Sequence, residues 1–320
     1  MIIPPLNDSE KLELGENTNH QPETRANKLI VASYNIRYAR GPYLISGGVR
    51  RKLGLMGQAR RPQHVGRMIS AAAEAFSSGQ LLPRADVLAL QEADKRTTRS
   101  GGHHIAKDLA TQLKMNWAHA PAGIPRGVKP VKRQWWLDFE EPIDLHDPGD
   151  TGVALLSRLP LTDVTRIDLP WHECPWRPRL AMAATVSIGS QQIRIFNAHV
   201  DPHVASDGQL AQLEAIVAQA SAANVPTIIL GDFNTLSRQK CLDTRQFLES
   251  RGYATPIRTG TATWRGAGLR MHADWIFTRG VKIERWGVAK PLKVSDHWPI
   301  WAEISAADFM DEGGSHNESR

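Results

Sequence analysis

The segment 225–234, VPTIILGDFN, joins an apolar run to a carboxylate and an amide. Its run 228–230 has the composition expected of a strand that is covered on both faces. Asp232 and Asn234 follow with one residue between them, and side chains two apart in an extended chain point to the same side. Such a pair would aim two oxygen-bearing side chains at one spot, although Gly, Asp and Asn also occur together in ordinary turns.

Other apolar runs end in, or contain, polar side chains of the same kind. Taken singly, each could be a turn residue or a hydrogen-bonded core residue. Taken together, they form a set whose carboxylate and amide oxygens suit a hard cation such as Mg²⁺. Asn35, Glu92 and Asp296 supply those oxygens. The whole set is Asn35 in SYNIR, Glu92 in LALQEAD, Asn197 and His199 in IFNAHVD, Asp274 in HADWIF, and Asp296 and His297 in VSDHWPI.

The motifs that the chain lacks argue against several other chemistries. There is no HExxH and no Cys/His spacing of a zinc site, and the WHEC segment at 171–174 has no second cluster. No Walker loop or GxGxxG follows a strand, and Ser157 has no Gly-x-Ser-x-Gly elbow. The two cysteines, Cys174 and Cys241, argue against a disulfide scaffold and favour a reducing, cytoplasmic setting.

The elements that must position these residues follow from hydrophobic periodicity. Strands and helices alternate in the first half of the chain and strands dominate the second half, which predicts a mixed α/β (α+β) domain with more than one sheet. We expect strands at 28–38, 85–92, 151–159, 180–188, 191–200, 225–230, 261–265, 271–278, 281–288 and 298–304, with a hairpin at Gly189-Ser190. We expect helices at 64–76, 104–113, 206–222 and 239–251.

The chain of 320 residues is 41% hydrophobic and 22% charged, as is usual for a globular protein. The polar segments 1–27 and 306–320 are predicted to be disordered tails on a single domain, 28–305. The N-terminal segment lacks the features of a secretory signal, and no apolar stretch is long enough to predict a membrane span. No segment indicates an obligate protein partner.

The positive charge of the chain is unevenly distributed. The net charge is +6, and the stretch from Arg25 to Ala73 contains ten Lys or Arg residues but no Asp or Glu. A loop with charge of one sign suits an anionic partner, although a charged run can also be a solvated face. A second irregular segment, 126–150, carries Trp135 and Trp136 after a basic run, and we expect it to form a lid or rim of the site.

The order of the motifs resembles the endonuclease/exonuclease/phosphatase superfamily, which has the deoxyribonuclease-I-like fold. The resemblance runs from about residue 28 to residue 304 and rests on YNIR, QE, GVALLSRLP, NAHVD, GDFN, DWIF and SDHWPI. The segment QEADKRTTRSGG also resembles bacterial members of this superfamily. The resemblance implies a two-sheet β-sandwich flanked by helices, with the site at one edge of the sheets. It also implies hydrolysis of phosphoester bonds with Mg²⁺ or Mn²⁺.

The resemblance further implies a role for each polar residue of the motifs. Asn35 and Glu92 would bind the metal, with Asp296 nearby. Asp232 and Asn234 would position and activate the attacking water. His199 and His297 would contact the phosphate, and Asp274 would hold His297 in place.

The sequence therefore predicts a metal-dependent phosphodiesterase that acts on nucleic acid. Two alternatives remain open at this point: the same chemistry on a phospholipid, inositol phosphate or small phosphodiester, and a non-catalytic binding module that keeps the fold. For contact with a polyanionic substrate we predict Arg50, Arg51, Lys52, Arg60, Arg61, Trp135 and Trp136.

Overall fold

The computed structural model describes residues 12–17, 28–42, 60–123, 141, 143, 146–170, 179–266 and 268–305. Several sequence predictions fall outside these residues. They concern Arg50, Arg51, Lys52, Trp135, Trp136, most of the loop 126–150, the WHEC segment, the tail 306–320 and most of the tail 1–27.

The described part of the chain forms fourteen strands and four α-helices. The strands are β1 (Glu13–Gly15), β2 (Lys28–Asn35), β3 (Val87–Gln91), β4 (Asn116–Pro121), β5 (Gly152–Ser157), β6 (Thr162–Asp168), β7 (Leu180–Ile188), β8 (Gln191–His199), β9 (Thr227–Asp232), β10 (Trp264–Gly266), β11 (Leu269–Met271), β12 (Asp274–Arg279), β13 (Lys282–Val288) and β14 (Ile300–Ser305). The helices are α1 (Arg61–Ser77), α2 (Ile105–Leu113), α3 (Ser206–Ala222) and α4 (Arg238–Glu249).

Most of the strands belong to two sheets. One sheet has seven strands in the order β1-β4-β5-β3-β2-β14-β13, and the other has five in the order β12-β9-β8-β7-β6. β10 and β11 form a separate hairpin. Within the two sheets, β2 pairs with β3 and β8 with β9 in parallel, and the remaining neighbours are antiparallel. Each sheet therefore has one parallel pair of strands near its centre.

The two sheets pack face to face, with helices on their outer faces. Along β2, Leu29 and Val31 belong to a core cluster that includes residues of the five-stranded sheet, whereas Ala32 and Tyr34 belong to a cluster with α1 and α2. This is the alternation that a pleated strand imposes. The first cluster also contains side chains of α3 and α4, which cover the five-stranded sheet. The predicted sandwich flanked by helices, a deoxyribonuclease-I-like arrangement, is confirmed.

Long apolar runs predicted their elements well, and the hairpin of β7 and β8 and helix α3 have the expected bounds. β4 and β6 were not predicted, and the predicted strand 271–278 is divided between β11 and β12. The break occurs where the hydroxyl of Thr263 accepts the backbone N–H groups of Ala273 and Asp274 at 3.0 Å each. Among the described helices, none has the length and apolar character needed to cross a bilayer.

One part of the predicted N-terminal tail is ordered, which corrects the prediction for residues 12–17. β1 adds an edge strand to β4, although it has only three residues. Glu13 holds it in place by accepting from Lys95 Nζ at 2.6 Å and from His104 Nε2 at 2.8 Å. A strand of three residues is too short to show a hydrophobic periodicity. Its position depends on partners about 90 residues away in the sequence.

Candidate active site

The polar side chains of the motifs meet at one end of the sandwich, which we call the catalytic end. The parallel strands β2 and β3 end there with Asn35 paired to Gln91, and the parallel strands β8 and β9 end there with His199 paired to Asp232. β12 runs in the opposite direction to β9, so its first residue, Asp274, pairs with Asp232. The strand topology therefore makes neighbours of residues that are far apart in the sequence.

Asn35 connects the two sheets at this end. Its Nδ2 donates to Glu92 Oε1 at 3.1 Å and to Asp232 Oδ2 at 2.9 Å. Its Oδ1 accepts the backbone N–H of Arg37 at 3.0 Å. Because both amide hydrogens face carboxylates, the orientation of the amide follows from its partners. Asn35 therefore holds two carboxylates close together, and its own oxygen accepts from the backbone.

Glu92 is the most accessible carboxylate of the group. Its side chain is 18% exposed, whereas those of Asp232 and Asp274 are 1% exposed. Its φ is +51°, a left-handed conformation that costs about 1–3 kcal/mol for a residue with a side chain. Such strain persists where the surroundings hold it, and it is frequent at functional sites. The turn directs Glu92 towards Asn35 directly after the buried strand β3.

Asp232 lies between two imidazoles. Its Oδ2 is 3.7 Å from Nε2 of His199 and 3.7 Å from Nε2 of His297. Burial raises the pKa of Asp232, and the charge of Asp274 raises it further, whereas His297 and the hydrogen bond from Asn35 lower it. The net direction is upward, so this carboxylate is a better proton acceptor than an exposed aspartate.

His297 forms a hydrogen-bonded pair with Asp274. The Nδ1···Oδ2 distance is 2.9 Å, and both side chains are buried. Burial lowers the pKa of His297, but the charges of Asp274 and Asp232 outweigh it and raise the pKa to about 10. A buried imidazolium beside two carboxylates is thus favoured at neutral pH. The predicted contact between these residues is present, and the predicted phosphate contact of His297 stays a prediction.

Asp296 is engaged by protein donors. Its Oδ2 accepts from Arg37 at 2.9 Å and from the indole N–H of Trp264 at 3.1 Å, and its Oδ1 accepts from Ser295 at 3.1 Å. Arg37 reaches it from a turn in which residues 37–39 all have positive φ, each a strained conformation. Both oxygens of Asp296 therefore have partners, and this arrangement does not favour its predicted place near a metal.

The extended-chain alternation that paired Asn234 with Asp232 does not hold in the structure, and the predicted role of Asn234 in placing the water stays a prediction. β9 ends at Asp232, and Asn234 has a φ of +51°, so the alternation of an extended chain does not apply. Asn234 Nδ2 donates to the carbonyl of Val200 at 2.8 Å, and its backbone N–H donates to Asp232 Oδ1 at 2.9 Å. In this arrangement Asn234 holds Asp232 in place through its backbone.

His199 has a partner that the sequence patterns did not indicate. Arg179 precedes β7, whose first residue, Leu180, pairs with His199. One terminal nitrogen of Arg179 lies 2.8 Å from Nε2 and 3.1 Å from Nδ1 of the ring. An arginine N–H can only donate, so the ring nitrogen that it contacts is the acceptor in this arrangement. Arg179 lies in no recognised motif.

Asn197, another polar residue of the motifs, has a structural role. Its Oδ1 accepts from Gln91 at 2.7 Å, and its Nδ2 donates to the carbonyls of Leu90 and Ala154 at 2.9 and 2.8 Å. These contacts connect β8 of the five-stranded sheet to β3 and β5 of the seven-stranded sheet. Asn197 therefore supports the ends of β3 and β8, which carry Glu92 and His199.

The loop after β3 is held by a buried ion pair. Arg99 donates to both oxygens of Asp94, at 2.7 and 2.9 Å, and Thr97 donates to the same carboxylate. Arg99 also lies 4.1 Å above the ring of Tyr38. The QEADKRTTR segment thus supports Glu92, since Asp94 is two residues away.

Of the residues predicted to contact substrate, only Arg60 and Arg61 are described. Arg60 is exposed. Arg61 donates to Glu141 at 2.9 Å, and Arg40 binds the same carboxylate. Arg61 is therefore engaged in an internal ion pair with Glu141. Contact of either residue with substrate stays a prediction.

Two groups at the catalytic end have ligands for a cation. Asp232, Asp274 and His297 offer atoms within 4.8 Å of one another, and Asp274 Oδ1 has no hydrogen-bond partner among the described residues. All three are buried, however, whereas Mg²⁺ usually keeps several waters. Glu92 has a carboxylate with an accessible side, and Asn35 is beside it. The donor set therefore fits a hard divalent cation, with Glu92 as the ligand best placed to admit water.

Solved structures with the same fold span nearly all of this chain. An endonuclease/exonuclease/phosphatase of Beutenbergia cavernae is 17% identical, with a TM-score of 0.59 over 87% of this chain and 72% of that one. The mannosyl-6-phosphatase of Bacteroides thetaiotaomicron is 17% identical, with a TM-score of 0.53 over 86% and 99%. TDP2 of D. rerio, in complex with a single-strand DNA product, is 15% identical, with a TM-score of 0.54 over 87% and 99%.

The family assignment comes from the sequence match. No curated protein matches the chain. The model of the Endonuclease/Exonuclease/phosphatase family matches residues 32–297, which include every motif residue from Asn35 to His297. That match covers most of the chain and all of the polar residues that meet at the catalytic end. The chain therefore belongs to the endonuclease/exonuclease/phosphatase family.

Proposed function

We propose that this protein is a divalent-metal-dependent phosphodiesterase that hydrolyses phosphoester bonds in nucleic acid. The observation that carries the proposal is the arrangement of Asp232 between two imidazoles, with Asp274 behind His297 and Glu92 on the accessible side. Phosphoester hydrolysis needs an activated water and positive groups on the phosphoryl oxygens. This end of the sandwich offers candidates for both tasks.

Each residue has a task in the proposed reaction. Asp232, whose pKa is raised by burial, accepts a proton from the attacking water. His297 donates to a phosphoryl oxygen, and Asp274 keeps its ring oriented and charged. Asn35 holds Asp232 in position. Mg²⁺ or Mn²⁺, held by Glu92 with Asn35 nearby, would neutralise charge on the phosphoryl group.

Family membership supports phosphoester hydrolysis in general. The neighbours differ in what they act on, since one is a mannosyl-6-phosphatase and another holds a DNA product. The choice of nucleic acid therefore depends on the surface around the site. It is favoured by unpaired positive charge beside the catalytic end.

That charge lies on the β10–β11 hairpin and on the turn before β14. Arg265, Arg270, Lys290 and Lys293 have no ion pair within the described residues, and all but Arg265 are exposed. Arg265 and Lys290 lie over the ring of Trp298, at 5.4 and 4.4 Å. The hairpin adjoins the site because Trp264 bridges to His297. A nucleic-acid strand that enters the site would meet these cations.

Hydrolysis and metal dependence are tested together. The protein is incubated with single-stranded DNA, RNA and a small aryl phosphodiester, with Mg²⁺ or Mn²⁺ and then with excess chelator. We expect turnover only with the metal, and Glu92→Ala should abolish it while the fold is retained. Glu214→Ala is the matched control, because Glu214 is an exposed carboxylate on α3. Full activity in chelator, or unchanged turnover of Glu92→Ala, would contradict the proposal.

The substrate class is tested by salt dependence. Arg270→Ser with Lys290→Ser should reduce the slope of log affinity against log salt for single-stranded DNA by about 1.4, since each phosphate contact contributes about 0.7. Turnover of the aryl phosphodiester should not change. Lys107→Ser with Lys114→Ser removes the same charge from the region of α2 and should leave the slope unchanged. The set Arg50, Arg51, Lys52, Arg60 and Arg61 is tested in the same way. Equal slopes in every variant would favour a lipid or small phosphoester substrate.

A further inference from the structure

The hydrogen bond between Asp274 and His297 joins the two sheets. Asp274 is the first residue of β12 in the five-stranded sheet, whereas His297 lies shortly before β14 of the seven-stranded sheet. The sheets pack through apolar side chains, and apolar packing is not directional. The Nδ1···Oδ2 distance of 2.9 Å, however, depends on close alignment of donor and acceptor. Directional contacts are therefore needed to fix the two residues relative to each other.

Thr263 makes such contacts on both sides of the pair. Its hydroxyl accepts the backbone N–H groups of Ala273 and Asp274 at 3.0 Å each. Its carbonyl accepts the backbone N–H of Trp298, the residue after His297, at 2.6 Å. Thr263 is fully buried, so water does not compete for these contacts. One residue thus holds the two segments that carry the partners of the hydrogen bond.

The backbone around Thr263 supports this link. Trp264, the next residue, forms an antiparallel bridge with His297, so residues 263–265 lie beside residues 296–298. The hydroxyl of Thr263 extends from this pairing to the start of β12. The pairing of β12 with β9 aligns residues within the five-stranded sheet. The contacts of Thr263 add an alignment between that sheet and the segment of His297.

We propose that Thr263 is a positioning residue, whose hydroxyl sets the distance between the carboxylate of Asp274 and the imidazole of His297. The assignment rests on the proposed function, in which His297 donates to the phosphoryl group. Thr263 acts through Asp274, since the hydrogen bonds that its hydroxyl accepts come from the backbone. A variant that keeps the hydroxyl should therefore keep the geometry of the pair, and a variant that keeps only the shape should lose it.

Thr263→Val and Thr263→Ser separate the hydroxyl from the methyl group. Valine leaves two buried N–H groups without their acceptor. We expect kcat for the aryl phosphodiester to fall about 10- to 100-fold with KM within about twofold, as for a small misplacement of a catalytic group. Serine keeps the oxygen, so kcat should stay within about threefold of the wild type, although loss of the methyl group lowers the melting temperature. If kcat followed the melting temperature in both variants, the role of Thr263 would be purely structural and the proposal would be wrong.

Proton NMR of the full chain in excess chelator tests the geometry without turnover. The Nδ1–H proton of His297, which lies between the ring and a buried carboxylate, should give a downfield resonance. Asp274→Asn should remove this resonance and thereby assign it. Thr263→Val should move it upfield or broaden it, whereas Thr263→Ser should retain it. An unchanged resonance in a folded Thr263→Val would overturn the role of Thr263.

Thr227→Val is the matched control. Thr227 is also a fully buried threonine, and its hydroxyl donates to that of Tyr253 at 3.1 Å. It is the first residue of β9, at the end of the sheet away from the catalytic end. Its loss should lower the melting temperature and leave kcat and the resonance of His297 unchanged. Equal effects of Thr227→Val and Thr263→Val on the resonance would overturn the proposal.

The two proposals fail in different ways. If Thr263→Val does not fold, Thr263→Ser decides: retention of kcat and of the resonance supports the role of the hydroxyl, and loss of either overturns it. Absence of hydrolysis on every substrate would contradict the proposed function, while the resonance of His297 would still decide the role of Thr263.

Discussion

His297 and His119 are both buried histidines, and their surroundings shift their pKa values in opposite directions. His297 faces two buried carboxylates, Asp274 and Asp232, and its pKa is raised to about 10 although burial lowers it. The pKa of His119 on β4 is lowered to about 3, mainly by burial and further by its neighbour His104. Its Nε2 meets only the carbonyl of Ala93, at 2.8 Å. Burial alone thus neutralises a histidine, and a buried carboxylate reverses that effect.

His104 shows that the carboxylate must itself be buried. Its Nε2 donates to Glu13 at 2.8 Å, a distance similar to the 2.9 Å between His297 and Asp274. The pKa of His104 is nevertheless lowered, because its burial outweighs the attraction of Glu13. Glu13 is 35% exposed, so solvent screens its charge. His297 therefore keeps its proton at the catalytic end, where both it and Asp274 are buried.

Among changes around the two histidines, the largest effect is expected from removing the carboxylate of Asp274, which lies behind His297. Asp274→Asn keeps the shape of the side chain but removes its charge, and we expect kcat/KM to fall about 10³- to 10⁴-fold, as for other oriented carboxylate–histidine pairs. Combining it with His297→Gln should cost scarcely more than His297→Gln alone, because the two residues act as a unit. Steady-state kinetics in Mg²⁺ measure both values.

The control for this pair is Asp108→Asn. Asp108 also accepts from a histidine, His103, at 2.6 Å, but both side chains are partly exposed and lie on and before α2. Its activity should equal that of the wild type. Multiplicative losses in the Asp274 and His297 cycle would show that the two residues act independently.

The pH profile gives a second effect of the same change. With the pKa of His297 near 10, the alkaline limb of the wild-type profile should lie near pH 10. Without the charge of Asp274, burial dominates and lowers this pKa. The alkaline limb of Asp274→Asn should therefore move to lower pH, as measured by the residual kcat/KM. If the alkaline limb of Asp274→Asn does not move, that limb does not report the protonation of His297.

Stability should depend on pH in opposite directions at the two histidines. His297 binds a proton more tightly in the folded state, so its contribution is full below about pH 6.5 and is lost as the pH rises through 10. His119 is neutral when folded, so its contribution is full above about 6.5 and is lost as the pH falls towards 3. Each contributes a slope of up to about 1.4 kcal/mol per pH unit in its own window.

Chemical denaturation across pH separates these contributions. His297→Gln should flatten the dependence of the unfolding free energy on pH between 7 and 10, and His119→Gln should flatten it between 6.5 and 4. Each variant is the control for the other. If both variants changed the same limb, the comparison between the two histidines would be wrong.

The smallest effect is expected at Glu13. Glu13→Gln weakens the contacts with Lys95 and His104, and we expect the unfolding free energy to fall by about 0.5–1 kcal/mol, the range of partly exposed ion pairs. Turnover should not change, because Glu13 lies on an edge strand and none of its contacts is with the proposed reaction centre. A loss of activity comparable with that of Asp274→Asn would instead connect β1 to catalysis. Glu284→Gln, an exposed carboxylate on β13, is the control.

Much of the fold could be predicted because the spacing of apolar residues in a long segment differs between helices and strands. β7, β8, β9 and α3 are examples, and each has buried faces that the spacing of apolar residues indicates. β1, β4 and β6 escaped prediction. They are short or partly exposed, so their pairing depends on neighbours that are distant in the chain.

The sequence by itself determined which residues carry chemistry and that they follow strand ends. Asn35, Glu92, His199, Asp232, Asp274 and His297 could all be identified from their types and from the apolar runs around them. These residues can be recognised from the local sequence because a strand buried on both faces is apolar, so a polar residue at its end differs from its neighbours. The structure places these six at the catalytic end of one sandwich.

Only the tertiary structure decided what each side chain contacts. It turned Asn234 towards Val200, engaged Asp296 with Arg37, and brought Arg179 to His199. None of these contacts has a local signal, because each joins segments at least 20 residues apart. The charge of a buried histidine also depends on the tertiary structure. It depends on which carboxylates the fold places beside the ring and on whether water reaches them.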